Sequence, residues 1–314
     1  MLNRRHIRVK VLQVIYAMHL SGSEDLEKEE KFLFSSMESI QDLYLIVISA
    51  LIEIRKKEEL FLEKASKKHL ATPQDLKPNR KFSGNKVLQF LEDNNSISIA
   101  LEKRKINNWN QNDDLILILL EEIKKSALYE AYLANPDQSF EGDRKFVVEM
   151  FTELIAANDK LYDYLEDYKL TWVDDIPLVN TFLLKQLKHI EEDNEQSFNV
   201  LPLYKDLEDK DFGRDLFRKT VLNESELAKE YIDRTPNWDP DRISEVDTIM
   251  LKMAICEFLR FPSIPIKVTI NEYLEIAKEY ATPKSSIFIN GVLDNLVKDL
   301  QKTNKLNKTG RGLM

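Results

Sequence analysis

Leu and Ile recur three and four positions apart along most of this chain, with Glu and Lys between them, the spacing of one apolar helix face. The pattern predicts an all-α protein. It is clearest from Arg242 to Leu300, where three helices are joined by short connections. From Val246 to Leu259 the residues Ile249, Met250, Leu251, Met253, Ala254, Ile255, Cys256, Phe258 and Leu259 are apolar nearly all round the wheel, so this helix should be central and buried. Phe261-Pro262-Ser263-Ile264-Pro265 ends it, because closely spaced prolines cannot sit inside a helix. Ile270, Leu274, Ala277 and Ala281 mark the next helix, and Ile289, Leu293, Leu296 and Leu300 the last. Thr282-Pro283-Lys284-Ser285-Ser286 between them supplies a turn and a hydroxyl cap. Asn290-Gly291 lies inside the last helix, where glycine costs about 1 kcal/mol relative to alanine. A close backbone approach at Gly291 would account for that cost.

Upstream, a first helix is predicted over Asn3–Leu20, with Ile7, Val11, Ile15 and Met18 facing a core and Gly22 ending it. A long helical region follows from Leu26 to Lys68. Ala71 to Lys86, with Pro73, Pro78 and Gly84, reads as a linker or long loop. Helices resume over Val87–Asn108 and Asp113–Ala134, the second opened by an acidic pair that suits a helix start. Phe146, Phe151, Leu161 and Trp172 are spaced as are Phe212, Phe217, Leu227 and Trp238. One residue out of step, Val179–Lys185 echoes Val246–Lys252. The echo suggests an internal repeat whose copies stack to bury their apolar faces.

Composition narrows the chemistry. Seven glycines in 314 residues, with no glycine-rich phosphate-loop motif, give no support to a nucleotide-binding sheet. The single cysteine, Cys256, excludes an internal disulfide, fits a reducing compartment and belongs to the most apolar helix. The longest apolar run, Leu43–Ile52, is about half the ~20 residues that span a bilayer. No signal peptide is recognisable, and a cytoplasmic protein without a membrane segment is expected. His6, His19, His69 and His189 lack metal-ligand spacing. Asp174-Asp175 fits a helix start and Ser285-Ser286 a cap, so a non-enzymatic protein without cofactor is the reading. Net charge is −9, which argues against indiscriminate nucleic-acid binding. Positive charge gathers at the ends: Arg4, Arg5, Arg8 and Lys10 at the start, Lys302, Lys305, Lys308 and Arg311 at the finish, both without acids.

Arg4 and Arg8 share one helical face with Arg5 beside them. Guanidinium groups suit phosphates and stack on exposed bases, Gln13 can bond a base edge, and Tyr16 offers a stacking face. Arginines this close to a helix start oppose its dipole, an unfavourable placement that points to use. Arg4-Arg5-(x2)-Arg8-(x3)-Leu12-Gln13-(x2)-Tyr16 is similar to the basic opening helix of the bacterial NusB family. Val246-Asp247-(x3)-Leu251-Lys252-(x4)-Glu257-Phe258, Ile270-Asn271-Glu272-(x4)-Ala277-Lys278 and Phe288-Ile289-Asn290-Gly291-Val292-Leu293-Asp294 resemble that family in the same order.

The resemblance implies a NusB-like helical bundle and a transcription antitermination or elongation factor. It implies binding of boxA-like single-stranded RNA together with the small-subunit ribosomal protein that doubles as NusE, within the RNA polymerase elongation complex on ribosomal RNA operons. Carried over by position, Arg4, Arg5, Arg8, Gln13 and Tyr16 match the opening motif. Lys284, Ser285 and Ser286 occupy the loop before the last helix, with Lys278 and Asn290 nearby. Pro283 and Lys284 stand where relatives often carry acids. Glu257, Asn271 and Glu272 are candidates for the protein-partner surface. The resemblance covers little more than a third of the chain. The organisation expected is an N-terminal helical region 1–205, holding the opening helix 1–22 and a long helical insertion, a NusB-like domain 206–301 and a basic flexible tail 302–314. The alternative is a helical protein–protein scaffold that has lost RNA binding.

Overall fold

The computed structural model describes residues 1–68, 72–232 and 243–313. Among them the chain forms helices α1 (Arg4–Ser21), α2 (Leu26–Ser66), α3 (Pro73–Leu76), α4 (Lys86–Asp93), α5 (Asn95–Arg104), α6 (Asp113–Lys124), α7 (Ala127–Ala134), α8 (Phe140–Met150), α9 (Asp159–Tyr168) and α10 (Ile176–Lys188). These are followed by α11 (Leu207–Leu222), α12 (Glu224–Ile232), α13 (Glu245–Arg260), α14 (Ile266–Tyr280) and α15 (Ser285–Lys302), with no β-strand among the described residues. The protein is all-α, as the spacing predicts. No helix among the described residues is long and apolar enough to cross a membrane.

Two compact units result. Met1–Met37 with Leu203–Met314 form one, and Glu38–Pro202 the other. The opening helix thus shares a unit with the C-terminal helices, although some 180 residues separate them in sequence.

In the first unit α13 is the central helix, packed by α1, α11, α12, α14 and α15. Its residues from Ile249 to Phe258 are all buried, which is why its wheel has no polar stripe. Asn3 caps α1 by accepting from the amides of Arg5 and His6, and Gly22 closes it with φ 63°, donating to the carbonyls of Met18 and His19. The close helix approach falls at Gly213 of α11, where an added Cβ would stand 3.0 Å from Ile7 Cγ2 of α1. Gly291 is exposed, and an added Cβ there would have no neighbour within 4 Å, so no close approach within the described residues explains it. Ser285 is the first residue of α15 rather than its cap. Its Oγ donates to Asp247 Oδ2 at 2.9 Å and ties α15 to the first turn of α13.

The second unit is built on the later turns of α2, whose Leu43–Ile48 stretch is buried. Two tryptophans anchor to its backbone: Trp172 Nε1 donates to Ser39 O at 3.0 Å and Trp109 Nε1 to Ile46 O at 3.2 Å. Phe82, in the segment read as a linker, is buried against Tyr129 and Phe146, so that segment contributes to the core. Val87–Asn108 is two helices, not one. The Asn94 side chain accepts from the Ile97 amide and starts a new helix inside an unbroken apolar pattern. Asp113–Ala134 divides likewise at Ser126, whose Oγ accepts from Tyr129 N.

Both members of the sequence echo sit on matching elements. Phe146 and Phe151 lie on α8 and the wide π turn that extends it, Leu161 on α9, and Val179–Lys185 on α10. Phe212 and Phe217 lie on α11, Leu227 on α12, and Val246–Lys252 on α13. All of these aromatic and leucine positions are buried, as is Trp172, while Trp238 lies outside the described residues.

Candidate nucleic-acid interface

Every arginine of the opening helix meets a carboxylate. Arg8 is the innermost, 2% exposed, and donates through Nε and Nη2 to the Glu257 carboxylate at 2.6 and 2.8 Å. Glu257, with no exposure, also accepts from Tyr273 Oη at 2.8 Å and Thr269 Oγ1 at 3.0 Å. Burial opposes the Arg8 charge, but Glu257 and its hydrogen bonds outweigh it and raise the guanidinium above its ordinary value. Tyr273 is pushed well up, first by burial and then by the Glu257 charge. Such a pair is tolerated because the guanidinium meets the carboxylate two-pronged, Tyr273 and Thr269 fill the remaining acceptor sites of Glu257, and Glu272 lies 3.8 Å from Arg8 Nη1.

Arg5 forms a two-pronged pair with Glu272, at 2.9 and 3.0 Å, and that hydrogen bonding raises its pKa. Arg4 donates to Asp209 Oδ1 at 2.9 Å, and its guanidinium lies 5.1 Å from the Phe212 ring centroid. Arg8 lies 5.0 Å from the same ring, so the i, i+4 face predicted for these residues converges on Phe212. The Arg4 and Arg5 side chains keep 36% and 38% exposure and can present charge outward. Arg8 and Glu257, read from sequence as an RNA contact and a partner contact, are instead joined inside the bundle, because desolvation makes them satisfy each other. Glu272 is engaged by Arg5, whereas Asn271 is exposed. His6, between the arginines, is pushed down to about 4 by burial and by Arg5.

The other expected residues gather elsewhere. Tyr16 is exposed and Gln13 half-buried on α1. Lys284 is exposed and Ser286 half-buried at the start of α15. Asn290 Nδ2 donates to Asp294 at 3.4 Å, and Lys278 pairs with Glu275. Ser285 contacts Asp247 on α13 while Arg8 contacts Glu257, and ten residues of helix separate those anchors by about 15 Å. The expected site is therefore two clusters along α13, a distance a short single strand can cover.

Residues that sequence reasoning missed complete the first cluster. A groove of about 660 Å³ is lined by Asn3, Arg4, Arg5, Arg8, Ser263, Pro265, Val268, Glu272 and Arg311. Arg311 arrives from the tail, which is docked rather than extended. Lys308 Nζ donates to the carbonyls of Glu257 and Phe261 at 3.1 and 3.0 Å, closing the C-terminus of α13. Burial pulls this ammonium down to about 8 despite the Glu257 charge. The one signal in the sequence was the run of cations after Leu300; the carbonyls that receive the tail, those of Glu257 and Phe261 from Lys308 and that of Pro262 from the Thr309 amide, leave no mark there.

Fold and site together define an all-α protein whose candidate site is a set of arginines on a helical bundle. A family model described as the NusB family matches residues 181–298. The transcription antitermination protein NusB of Salinibacter ruber is 44% identical over 126 residues, which are 39% of this chain and 78% of that protein. NusB of Natranaerobius thermophilus is 42% identical over 100 residues, covering 30% and 72%, and that of Chloroherpeton thalassium 36% over 109 residues, covering 35% and 52%. The chain belongs to the NusB family of transcription antitermination proteins. The family-model match runs from α10 into α15, so the opening helix lies outside it.

Proposed function

We propose that this chain is a non-enzymatic antitermination factor of the cytoplasm that binds boxA-like single-stranded RNA jointly with a small-subunit ribosomal protein, the NusE of the elongation complex. The observation that carries the reading is the placement of the opening helix against α13 and α14, the part of the chain with family similarity, with Arg4 and Arg5 half-exposed on one groove. Arginines so placed can exchange a carboxylate for a phosphate at little geometric cost, because a guanidinium offers the same fork to either anion. Tyr16, Lys284, Ser286 and Asn290 extend the surface toward the start of α15, where an exposed base can stack or hydrogen-bond. Arg8 supports this face from within by fixing α1 to α13. Asn271 is the candidate contact for the protein partner that remains on the surface.

A second reading, a helical scaffold without RNA binding, draws on the carboxylate partners of Arg4 and Arg5. The two readings separate in one experiment. Labelled boxA-like RNA is titrated with the protein, with and without the ribosomal partner, over a salt series. RNA binding predicts a log–log slope near −0.7 per phosphate contacted, and a shallower slope in Arg4→Gln/Arg5→Gln. An unaltered slope in the double variant would remove this face from the RNA site, and absence of binding at low salt with the partner present would favour the scaffold.

A further inference from the structure

The groove beside the opening helix holds four arginines against one carboxylate, Glu272. Three of those arginines have carboxylate partners already described. Arg311 differs: it is exposed, and no ion pair or hydrogen bond to its side chain is found among the described residues. It also lines a second groove of about 590 Å³, where Arg4 and Lys205 face the carboxylates of Asp206, Glu208 and Asp209, so it stands where the two join.

Its position is held by contacts a loose tail would not make. Lys305 pairs with Glu230 at 3.1 Å as the chain leaves α15. Lys308 is fixed on the last carbonyls of α13. Thr309 N donates to Pro262 O at 3.0 Å, and Gly312 N turns back to Thr309 O at 2.9 Å. Gly312 is buried against Pro262, where a Cβ would come within 2.0 Å of the backbone oxygen, so no other residue fits without moving the tail. Arg311 lies between these anchors, the one long side chain of the turn that faces open space.

We infer that the C-terminal tail completes the RNA groove, with Arg311 contacting a backbone phosphate of single-stranded RNA laid along Arg4 and Arg5, and with Lys308 and Gly312 as the residues that position it. The inference rests on the RNA-binding reading above. A phosphate suits Arg311 because Arg4, Arg5 and Arg8 already carry carboxylate partners, leaving Arg311 as the guanidinium of this groove to be neutralised. Pro265 and Val268 supply an uncharged wall on which a base can lie while its phosphates face the arginines.

The test is anisotropy of a labelled single-stranded RNA with the full chain and the ribosomal partner, over a salt series, for the unaltered protein, Arg311→Gln, Gly312→Ala and Arg4→Gln/Arg5→Gln. Arg311→Gln should weaken binding several-fold and flatten the log–log slope by about 0.7, the loss of one phosphate contact. Gly312→Ala should lose the same amount although the Arg311 side chain is kept, because the tail that carries it is displaced, and should expose the bonds after Lys305 and Lys308 to trypsin. Unchanged affinity and slope in Arg311→Gln, with the Arg4/Arg5 variant impaired, overturns the role of the tail and leaves the opening helix as the RNA face. No RNA binding by the unaltered protein overturns both.

Discussion

Glu257 accepts hydrogen bonds from three side chains, and Arg8 alone supplies two of them. Removing one member of a buried ion pair strands the other, which costs about 3–5 kcal/mol. Glu257→Gln or Arg8→Met should therefore lower stability by that order in urea unfolding. Arg8→Met combined with Glu257→Leu should recover a good part of the loss, and additive losses would show that the two residues are not coupled. His6 gives a pH signature. Its Nδ1 accepts from Asn3 N at 3.4 Å, completing the cap of α1, which requires the neutral ring. The unfolded chain takes up this proton near pH 6.5, the folded chain near 4. Between those values the unfolded state binds more protons, so this contribution is full above about 6.5 and is lost as pH falls toward 4. Denaturation midpoints over that window should fall less steeply in His6→Gln than in the unaltered protein. Equal slopes would assign the acid lability to other groups.

Helices were legible wherever an apolar stripe ran uninterrupted, as in α1, α2 and α13. Breaks were legible at Pro262 and Gly22 but not at Asn94 and Ser126. There a polar side chain satisfies a new helix start without disturbing the apolar spacing on either side. Glycine misled in the same way. Gly213 permits the close crossing of α1 and α11, while Gly291 is exposed along α15. Sequence shows that a glycine is present, not which helix comes near. Since an added Cβ at Gly291 meets nothing within 4 Å, Gly291→Ala should raise stability by roughly 0.5–1 kcal/mol. A loss of stability in thermal unfolding would show that the helix needs the glycine for its own backbone.

Across the whole molecule, residue types at the candidate site were readable and their pairings were not. Arg5 and Glu272 are 267 positions apart and Arg8 and Glu257 are 249 apart, separations at which no helical or turn spacing connects them. The tail shows the same limit: its charge was visible, but the Glu257 and Phe261 carbonyls that receive Lys308 were not. With a net charge of −9, attraction to polyanions must be local, confined to grooves such as the one lined by Arg4, Arg5 and Arg311. The direct test of the central claim is the salt dependence of boxA-like RNA binding by the full chain with its ribosomal partner. Binding that the partner strengthens, with a slope that becomes shallower when Arg4 and Arg5 are replaced by glutamine, is the predicted result. Absence of binding at low salt with the partner present would contradict it.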